Sequence, residues 1–400
     1  MVMDQILMHE EEISGSCLHS SFLATHVLSN TSNVVFSPLS IDTVLRSVAV
    51  GSTGETHKQL LSYLDAKSID DVNSRSQHVS SVLADVSPFG GPLLRFANGI
   101  WADQSTTSFH PSFEQTVKTL HNAVCKLGDF WNKPAEVADE VNVWAEKQTS
   151  GLIKDVVPAD AVSDQTALLF ANALYFKGVW KEKFDRSMTK LHDFHRLDGS
   201  TIQVPFMRTN SEQILRQYNG FKVLGLLYEQ GEDNRRFTMY FYLPDKQDSL
   251  QSLVEKIDSE SDFFESYIPS EKVEVEEVMI PKFKISYGFE ASNMLKELGL
   301  VLPFRGGGLT KMVNSFRDKG IGISCIHHKS FVEVNEEGTE TAAATTIDGA
   351  DCIKMEFVAS HPFLFVIRED TSGTVSIFVA SHPLLHKCFL IRLLQSWCVL

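Results

Sequence analysis

In three segments of the chain, apolar residues recur every three or four positions, as they do along one face of a helix. The first follows Ser37-Pro38, a capping serine before a proline in the first helical position, and Gly51 closes it. Pro134 opens the second and Gly151 ends it. The third lies within 287–304 and ends at Gly299. The pattern predicts three helices whose inward faces carry Ile41, Val44, Leu45 and Val48; Val137, Val141, Trp144 and Ala145; and Met294, Leu295 and Leu298.

Strand patterns are at least as frequent as helix patterns. The run 167–176 is almost continuously apolar, which predicts a strand covered on both faces, and 237–243 is a second apolar run. Alternation of apolar and polar residues at 273–276 and 283–287 predicts a pair of half-buried strands. Apolar runs at 363–367 and 375–379 flank Asp370-Thr-Ser-Gly373 and predict a closing hairpin. Because helices and strands are interspersed without regular alternation, the fold class is α+β.

Composition and charge narrow the choice of partners. Of the 400 residues, 43% are hydrophobic and 22% are charged, as is usual in a globular protein. The formal net charge of −15 (36 − 51) argues against nucleic acid as a partner. No apolar run reaches the ~18 residues of a membrane span, and the start of the chain lacks a signal-peptide pattern. Without a linker-like stretch, we expect one domain over 1–400, located in the cytoplasm or nucleus, with the extracellular space as the alternative.

The sequence contains no constellation that indicates an enzyme. It has no G-x-S-x-G elbow, no P-loop and no H-E-x-x-H, so we expect neither a catalytic site nor a cofactor. His327-His328 is the one candidate metal pair, but neighbours on a strand point to opposite faces. We therefore expect no metal site, with one histidine buried and hydrogen-bonded and the other solvated. The cysteines Cys17, Cys125 and Cys325 are expected to be structural.

The segment 332–357 behaves neither as a core strand nor as an ordinary polar loop. It begins as an alternating strand, and after Gly338 it continues in threonines and alanines. A plain surface loop is one interpretation. With a period of two, however, small and nearly uncharged side chains share one face: Thr339, Thr341, Ala343, Thr345, Ile347 and Gly349. Such a segment is suited to enter a β-sheet as an extra strand, with Gly338 as the pivot.

At this string the chain resembles the serpins, and most closely the plant serpins of the serpin-Z type. The residues similar to the family's proximal hinge are Glu336, Glu337, Gly338, Thr339, Glu340, Thr341, Ala342, Ala343, Ala344 and Thr345. The resemblance continues in order through 33–40, 98–101, 142–149, 151–154, 172–178, 280–284, 328–329 and 357–363. Each piece is short, but the ordered set is specific and covers nearly the whole chain.

The resemblance implies a serpin fold with three β-sheets, eight or nine helices and an exposed reactive-centre loop at about 336–357. It implies a metastable inhibitor of serine proteases, with cysteine proteases as a second class of target. A protease attacks the loop and forms an acyl-enzyme, and the freed amino-side segment then inserts into the central sheet. The implied product is a covalent 1:1 complex with a monomeric inhibitor, without nucleic acid or membrane.

The resemblance also implies roles for individual residues. Counting from the hinge places the scissile bond at Cys352-Ile353, which suits proteases with modest first pockets. A shift of two residues gives Lys354-Met355 and a trypsin-like target. Four residues match the polar cluster beneath the central sheet, called the shutter, and one matches the tryptophan at the insertion entry point, called the breach: Ser37, Ser40, Asn172 and His328, and Trp180.

Departures from the family pattern support a second hypothesis. The stretch 352–361 is several residues shorter than in plant serpins, and Ile347 and Asp351 fall on the face that insertion would bury. The end after Phe378 also differs, and a divergent apolar tail occupies 384–400. The alternative is a non-inhibitory serpin that acts as a binding, chaperone or storage protein.

Overall fold

The computed structural model describes residues 33–260, 262–315, 320–337 and 355–380. Three 3₁₀ turns accompany the α-helices in this part of the chain. None of the helices described is long and apolar enough to cross a bilayer. The α-helices are α1 (Pro38–Gly51), α2 (Gly54–Tyr63), α3 (Ile69–Val82), α4 (Pro111–Leu120), α5 (Pro134–Gln148), α6 (Leu250–Ser259), α7 (Phe263–Ser266) and α8 (Ala291–Glu297).

The strands are β1 (Val34–Phe36), β2 (Leu93–Asp103), β3 (Thr107–Phe109), β4 (Ala123–Gly128), β5 (Leu168–Lys177), β6 (Lys190–His195), β7 (Thr201–Thr209), β8 (Gln213–Tyr218), β9 (Phe221–Leu227), β10 (Phe237–Pro244), β11 (Lys272–Val273), β12 (Val275–Pro281), β13 (Phe283–Glu290), β14 (Val313–Ser315), β15 (Cys325–Val334), β16 (Met355–Val358), β17 (Leu364–Glu369) and β18 (Thr374–Ala380). Interspersed helices and strands confirm the α+β class.

Three larger sheets and one ribbon organise these strands. The seven-stranded sheet has the order β1-β18-β17-β10-β9-β8-β11, and the four-stranded sheet has the order β16-β12-β7-β6. The five-stranded sheet has the order β13-β15-β5-β2-β4, and β3 pairs with β14 in a separate ribbon. The three larger sheets agree with the expected architecture, and the ribbon is an addition that the sequence did not predict.

The five-stranded sheet positions the candidate site. Its strands β5 and β15 run parallel and pair over eight residues, from Leu169 opposite Cys325 to Phe176 opposite Val332. We call this pairing the seam. Strand β13 borders β15 on its other side, and β2 borders β5; both run antiparallel to their neighbour. The residues of β5 from Leu168 to Phe176 are all buried, as the apolar run predicted, because both faces of the sheet are covered.

Helix α1 begins as the sequence predicted. Ser37 is its N-cap, and the Ser37 hydroxyl accepts a hydrogen bond from the backbone N–H of Ser40 at 3.1 Å. The helix ends at Gly51, but not through a left-handed residue, since Gly51 is not among the residues with positive φ. A Cβ at Gly51 would lie 2.6 Å from Met312 Cβ. Close packing is therefore the reason for a glycine at this position.

The predicted pair of half-buried strands is divided between two sheets. Strand β12 pairs with β16 and β7 in the four-stranded sheet, whereas β13 pairs with β15 in the five-stranded sheet. Alternation predicts which residues of a strand are buried but contains no information about its neighbour. The predicted hairpin is confirmed, since β17 and β18 pair antiparallel around a turn in which Gly373 has φ +74°.

Candidate functional site

Four of the residues assigned to the shutter converge beneath the seam. Asn172 of β5 and His328 of β15 are register partners across it. The Asn172 Oδ1 atom accepts hydrogen bonds from the Ser40 hydroxyl and from His328 Nδ1, both at 2.7 Å. The Ser37 backbone N–H donates to His328 Nε2 at 3.2 Å. The cluster therefore ties both strands of the seam to the first turn of α1.

The hydrogen bonds define the protonation of His328. Its Nδ1 atom faces an acceptor oxygen and must carry the proton, while Nε2 accepts from Ser37 N–H and from the Ser330 hydroxyl, which lies at 2.7 Å. Burial lowers the pKa of His328 to about 3. The neutral ring is the form that fits, because a second ring proton would point at two donors.

The other histidine of the pair is buried as well, so the expectation that it is solvated was wrong. His327 is only 4% exposed, and burial lowers its pKa. Its strand neighbours on the same face, Cys325 and Phe331, pack into the cluster formed by α5 and the segment after it. Successive side chains of β15 point to opposite faces of the sheet, and both faces are covered by other elements. Both histidines are therefore buried, instead of one being buried and the other exposed to solvent.

Trp180 lies at the end of the seam where β15 leaves the sheet. The indole Nε1 of Trp180 donates to the carbonyl oxygen of Asn335 at 2.8 Å, and the backbone N–H of Trp180 donates to the carbonyl oxygen of Glu337 at 3.2 Å. The ring stacks on Tyr228 with centroids 4.4 Å apart. Trp180 thus holds the residues that follow β15 against the segment that follows β5.

The first hinge carboxylate is buried and paired. Glu336 is 5% exposed and forms an ion pair with Lys282 at 2.6 Å, where the chain passes from β12 to β13. The Thr189 hydroxyl donates to the same carboxylate at 2.7 Å. Burial raises the pKa of Glu336, but the hydrogen bonds from Lys282 and Thr189 outweigh burial and bring it below the usual value. Glu336 is therefore buried beside the end of β15 and is not part of an exposed loop.

The second hinge carboxylate faces the other side. Glu337 lies 3.6 Å from the ammonium of Lys177, the last residue of β5, and 3.4 Å from the guanidinium of Arg186. Beside these ion pairs is an open cavity of about 530 Å³. Its lining includes Arg186, Lys282, Phe283, Lys284, Glu333, Val334, Asn335, Glu336 and Glu337. Residues 335–337 consequently pass over the carboxyl end of β15, from the side of β13 toward the side of β5.

The carboxyl end of the reactive-centre loop is also anchored. Met355 begins β16, a four-residue strand that runs parallel to β12, and the Lys222 ammonium donates to the carbonyl oxygen of Glu356 at 2.9 Å. The remaining assignments in this region lie outside the described residues: Cys352, Ile353, Lys354, Gly338, Thr339, Glu340, Thr341, Ala342, Ala343, Ala344 and Thr345.

Several contacts of the site were missed from the sequence. Lys177 and Lys282 lie within motifs that were noted, and Ser330 lies two residues after His328, so the motifs gave their neighbourhood but not their contacts. Thr189 and Arg186 lie in a short irregular stretch before β6, where periodicity carries no signal. Their contacts with the hinge are recognised only in the folded structure, which brings them next to Glu336 and Glu337.

Comparison with known proteins identifies the architecture. The family model for serpins, described as serine protease inhibitors, matches residues 20–381. The chain belongs to the serpin family. It is 50% identical over 381 residues to Serpin-ZX of Arabidopsis thaliana, covering 91% of this chain and 96% of that relative. It is 49% identical to Serpin-ZXA of Oryza sativa subsp. japonica, covering 88% and 91%.

Solved structures show the same fold. The structure of Arabidopsis AtSerpin1, described as a native stressed conformation, superposes with a TM-score of 0.84 at 48% identity. The superposition covers 91% of this serpin and 95% of that chain. The expected serpin fold and the similarity to plant serpins are confirmed. Membership implies proteases as partners, and serpins in general inhibit proteases and are not catalysts themselves.

Proposed function

We propose that this serpin traps serine proteases, with cysteine proteases as a second target class, by insertion of its cleaved loop into the seam. The observation that carries the proposal is the parallel pairing of β5 and β15. A segment that turns back after β15 runs antiparallel to β15, and it then also runs antiparallel to β5. Insertion replaces one parallel pairing by two antiparallel ones, which are slightly more stable per residue.

The lengths are compatible with insertion. The eight pairs of the seam span about 26 Å at about 3.3 Å per residue, and residues 339–351 would span about 43 Å as a strand. Before cleavage this segment is tied at both ends, to β15 through 335–337 and to β12 through β16. Cleavage removes the second tie, and the freed segment can then move the attached protease along the sheet.

The covalent step is the protease's own acyl transfer. The serine hydroxyl of the protease attacks the carbonyl carbon of Cys352, an ester forms, and the peptide bond to Ile353 breaks. The proton of the serine passes through the protease's base to the departing amino group of Ile353. The alternative bond, Lys354-Met355, would place the residue after the cut in β16. We therefore favour Cys352-Ile353, which leaves two residues between the cut and that strand.

A protease panel tests the proposal. Elastase, chymotrypsin, trypsin and papain cover small, aromatic and basic preferences and the cysteine class, and each is incubated with the purified serpin and analysed by denaturing gel. We expect a complex that survives SDS with at least one of them, elastase before trypsin because Cys352 is small. Thr339→Arg places a long cation on the face to be buried and should convert the inhibitor into a substrate.

The control is Glu340→Arg, which places the same cation on the opposite face of the segment and should preserve the complex. If all four proteases cut the loop and are released active, the proposal fails. The non-inhibitory alternative would then account for the fold.

A further inference from the structure

We propose that Glu337, clasped by Lys177 and Arg186, is a positioning residue that sets how readily the cleaved loop enters the seam. We call these three residues the clasp. The inference rests on the proposed function, because it concerns the rate of the insertion step. It assigns that step to a carboxylate and two cations whose contacts the hinge motif did not reveal.

The two hinge carboxylates are anchored on opposite sides of β15. Glu336 pairs with Lys282, the residue directly before β13, and β13 is the neighbour of β15 on one side. Glu337 pairs with Lys177 at the end of β5, the neighbour on the other side. The single step from Glu336 to Glu337 therefore takes the chain from the outer side of β15 to the side of the seam.

Backbone contacts give the clasp a fixed support. The Glu337 N–H donates to the Asn335 side-chain oxygen at 2.9 Å, and the Glu337 carbonyl oxygen accepts from Trp180 N–H. The segment around Trp180 is itself held to the end of β9, since Lys181 N–H donates to the Leu227 carbonyl at 2.9 Å. Residues 335–337 thus form a turn that is already complete before any cleavage.

Charge on the clasp acts at the entrance of the seam. Two cations converge on one carboxylate, and they come from different elements: Lys177 from β5 and Arg186 from the 3₁₀ turn Arg186–Met188. They hold Glu337 over the end of β5, and the last described residue of the hinge therefore lies on the seam side of β15. The turn is ordered in advance, so a cut loop loses less conformational entropy when it begins to insert.

The expected effect is kinetic and moderate. The side chains of Lys177, Arg186 and Glu337 are 39%, 73% and 47% exposed, and exposed pairs change an equilibrium by roughly one- to fivefold each. A trapped protease and a released protease are competing outcomes of one acyl-enzyme. Slower insertion therefore raises the number of inhibitor molecules consumed per protease trapped.

The experiment measures that consumption for Glu337→Gln, using the panel protease that the wild type traps most efficiently. We expect consumption to rise roughly two- to tenfold, while the rate of the first cut and the thermal midpoint of the uncut protein stay unchanged. Reversing all three charges, Glu337→Arg with Lys177→Glu and Arg186→Glu, should restore efficient trapping. The matched control is Lys133→Gln, which removes an exposed pair with Glu136 at the start of α5 and should leave consumption unchanged.

The dependence of consumption on salt concentration distinguishes an electrostatic role of Glu337 from a purely structural one. Raising salt from about 0.1 M to about 1 M shortens the Debye length from roughly 10 Å to roughly 3 Å, so wild-type consumption should rise toward that of Glu337→Gln. The variant itself should respond less. Consumption by Glu337→Gln that equals or falls below the wild-type value would overturn the clasp while leaving the proposed function intact.

A wild type that traps no protease would instead contradict the proposed function. The clasp is then tested on the cleaved protein alone, by the rate at which the amides of residues 339–351 gain protection from hydrogen exchange after the cut. Slower gain in Glu337→Gln supports the clasp. Equal rates, or no gain in either protein, overturn it.

Discussion

At the residue scale, His328 is the group on which the polar cluster depends. Its ring bridges Asn172 on one strand of the seam to Ser37 at the start of α1, and it does so as a neutral donor and acceptor. In the unfolded chain the same ring has a pKa near 6.5, whereas burial lowers it to about 3 in the fold. Protonation therefore favours the unfolded chain as the pH falls below about 6.5.

We accordingly predict that acid destabilises this serpin before its carboxylates titrate. At pH 5 the unfolded state holds a proton on residue 328 that the folded state does not, which costs on the order of 2 kcal/mol. Burial also lowers the pKa of His121, to about 4, and that of His327, so these residues act in the same direction. The thermal midpoint, measured at a fixed heating rate, should fall by several degrees between pH 7 and pH 5.

The variant His328→Gln should be less stable at pH 7 and should show a smaller fall between the same two pH values. A wild-type midpoint that stays constant from pH 7 to pH 5 would contradict this view of the cluster.

At the element scale, the proposed insertion requires the seam to open. Ala173 of β5 offers two register partners, Lys329 across the seam and Ala97 on the opposite side in β2. Paired residues of neighbouring strands lie at a distance that a disulfide can bridge. The same position can therefore be locked to either neighbour.

We predict that a disulfide across the seam abolishes trapping. In Ala173→Cys with Lys329→Cys, the oxidised protein should be cut and should release active protease, and reduction should restore the complex. The reduced form controls for the lost hydrogen bonds from Lys329 to the carbonyls of Lys154 and Asp155. The matched control, Ala173→Cys with Ala97→Cys, should trap in both redox states. Trapping by the oxidised seam pair would exclude insertion between β5 and β15.

Elements also show what a sequence can and cannot predict. Capping at Ser37-Pro38 and the apolar run of β5 predicted those elements because their signals are local. The neighbour of a strand in its sheet comes from a distant part of the sequence. The alternating residues of β12 and β13 therefore predicted which side chains are buried, but not that the two strands lie in different sheets. For the same reason, the surroundings of His327 were mistaken until the cover on both faces of β15 was known.

At the scale of the whole molecule, the family resemblance supplied what periodicity alone did not. The ordered motifs placed Ser37, Ser40, Asn172 and His328 in one cluster although they lie far apart in the chain, and the structure brings them within hydrogen-bond distance. It did not supply the partners of Glu336 and Glu337. Arg186 and Thr189 come from one short stretch before β6, and Lys282 comes from the junction of β12 and β13, so only the assembled fold unites them at the hinge.

The uncut and the cut molecule should differ in stability. In the uncut form the seam is closed over eight residue pairs, and the segment that would fill it is covalently tied at both ends. An inserted strand adds on the order of ten backbone hydrogen bonds, each contributing roughly 1 kcal/mol. The cut molecule should therefore be the more stable one.

The most direct measurement is the thermal midpoint before and after a single cut in the loop by a protease that is then removed. At about 1 to 2 °C per kcal/mol for a domain of this size, insertion should raise the midpoint by about 10 to 20 °C. In Thr339→Arg the gain should be much smaller, because the arginine opposes burial of the hinge. A wild-type midpoint that is unchanged or lower after the cut would contradict insertion and, with it, the mechanism proposed for this serpin.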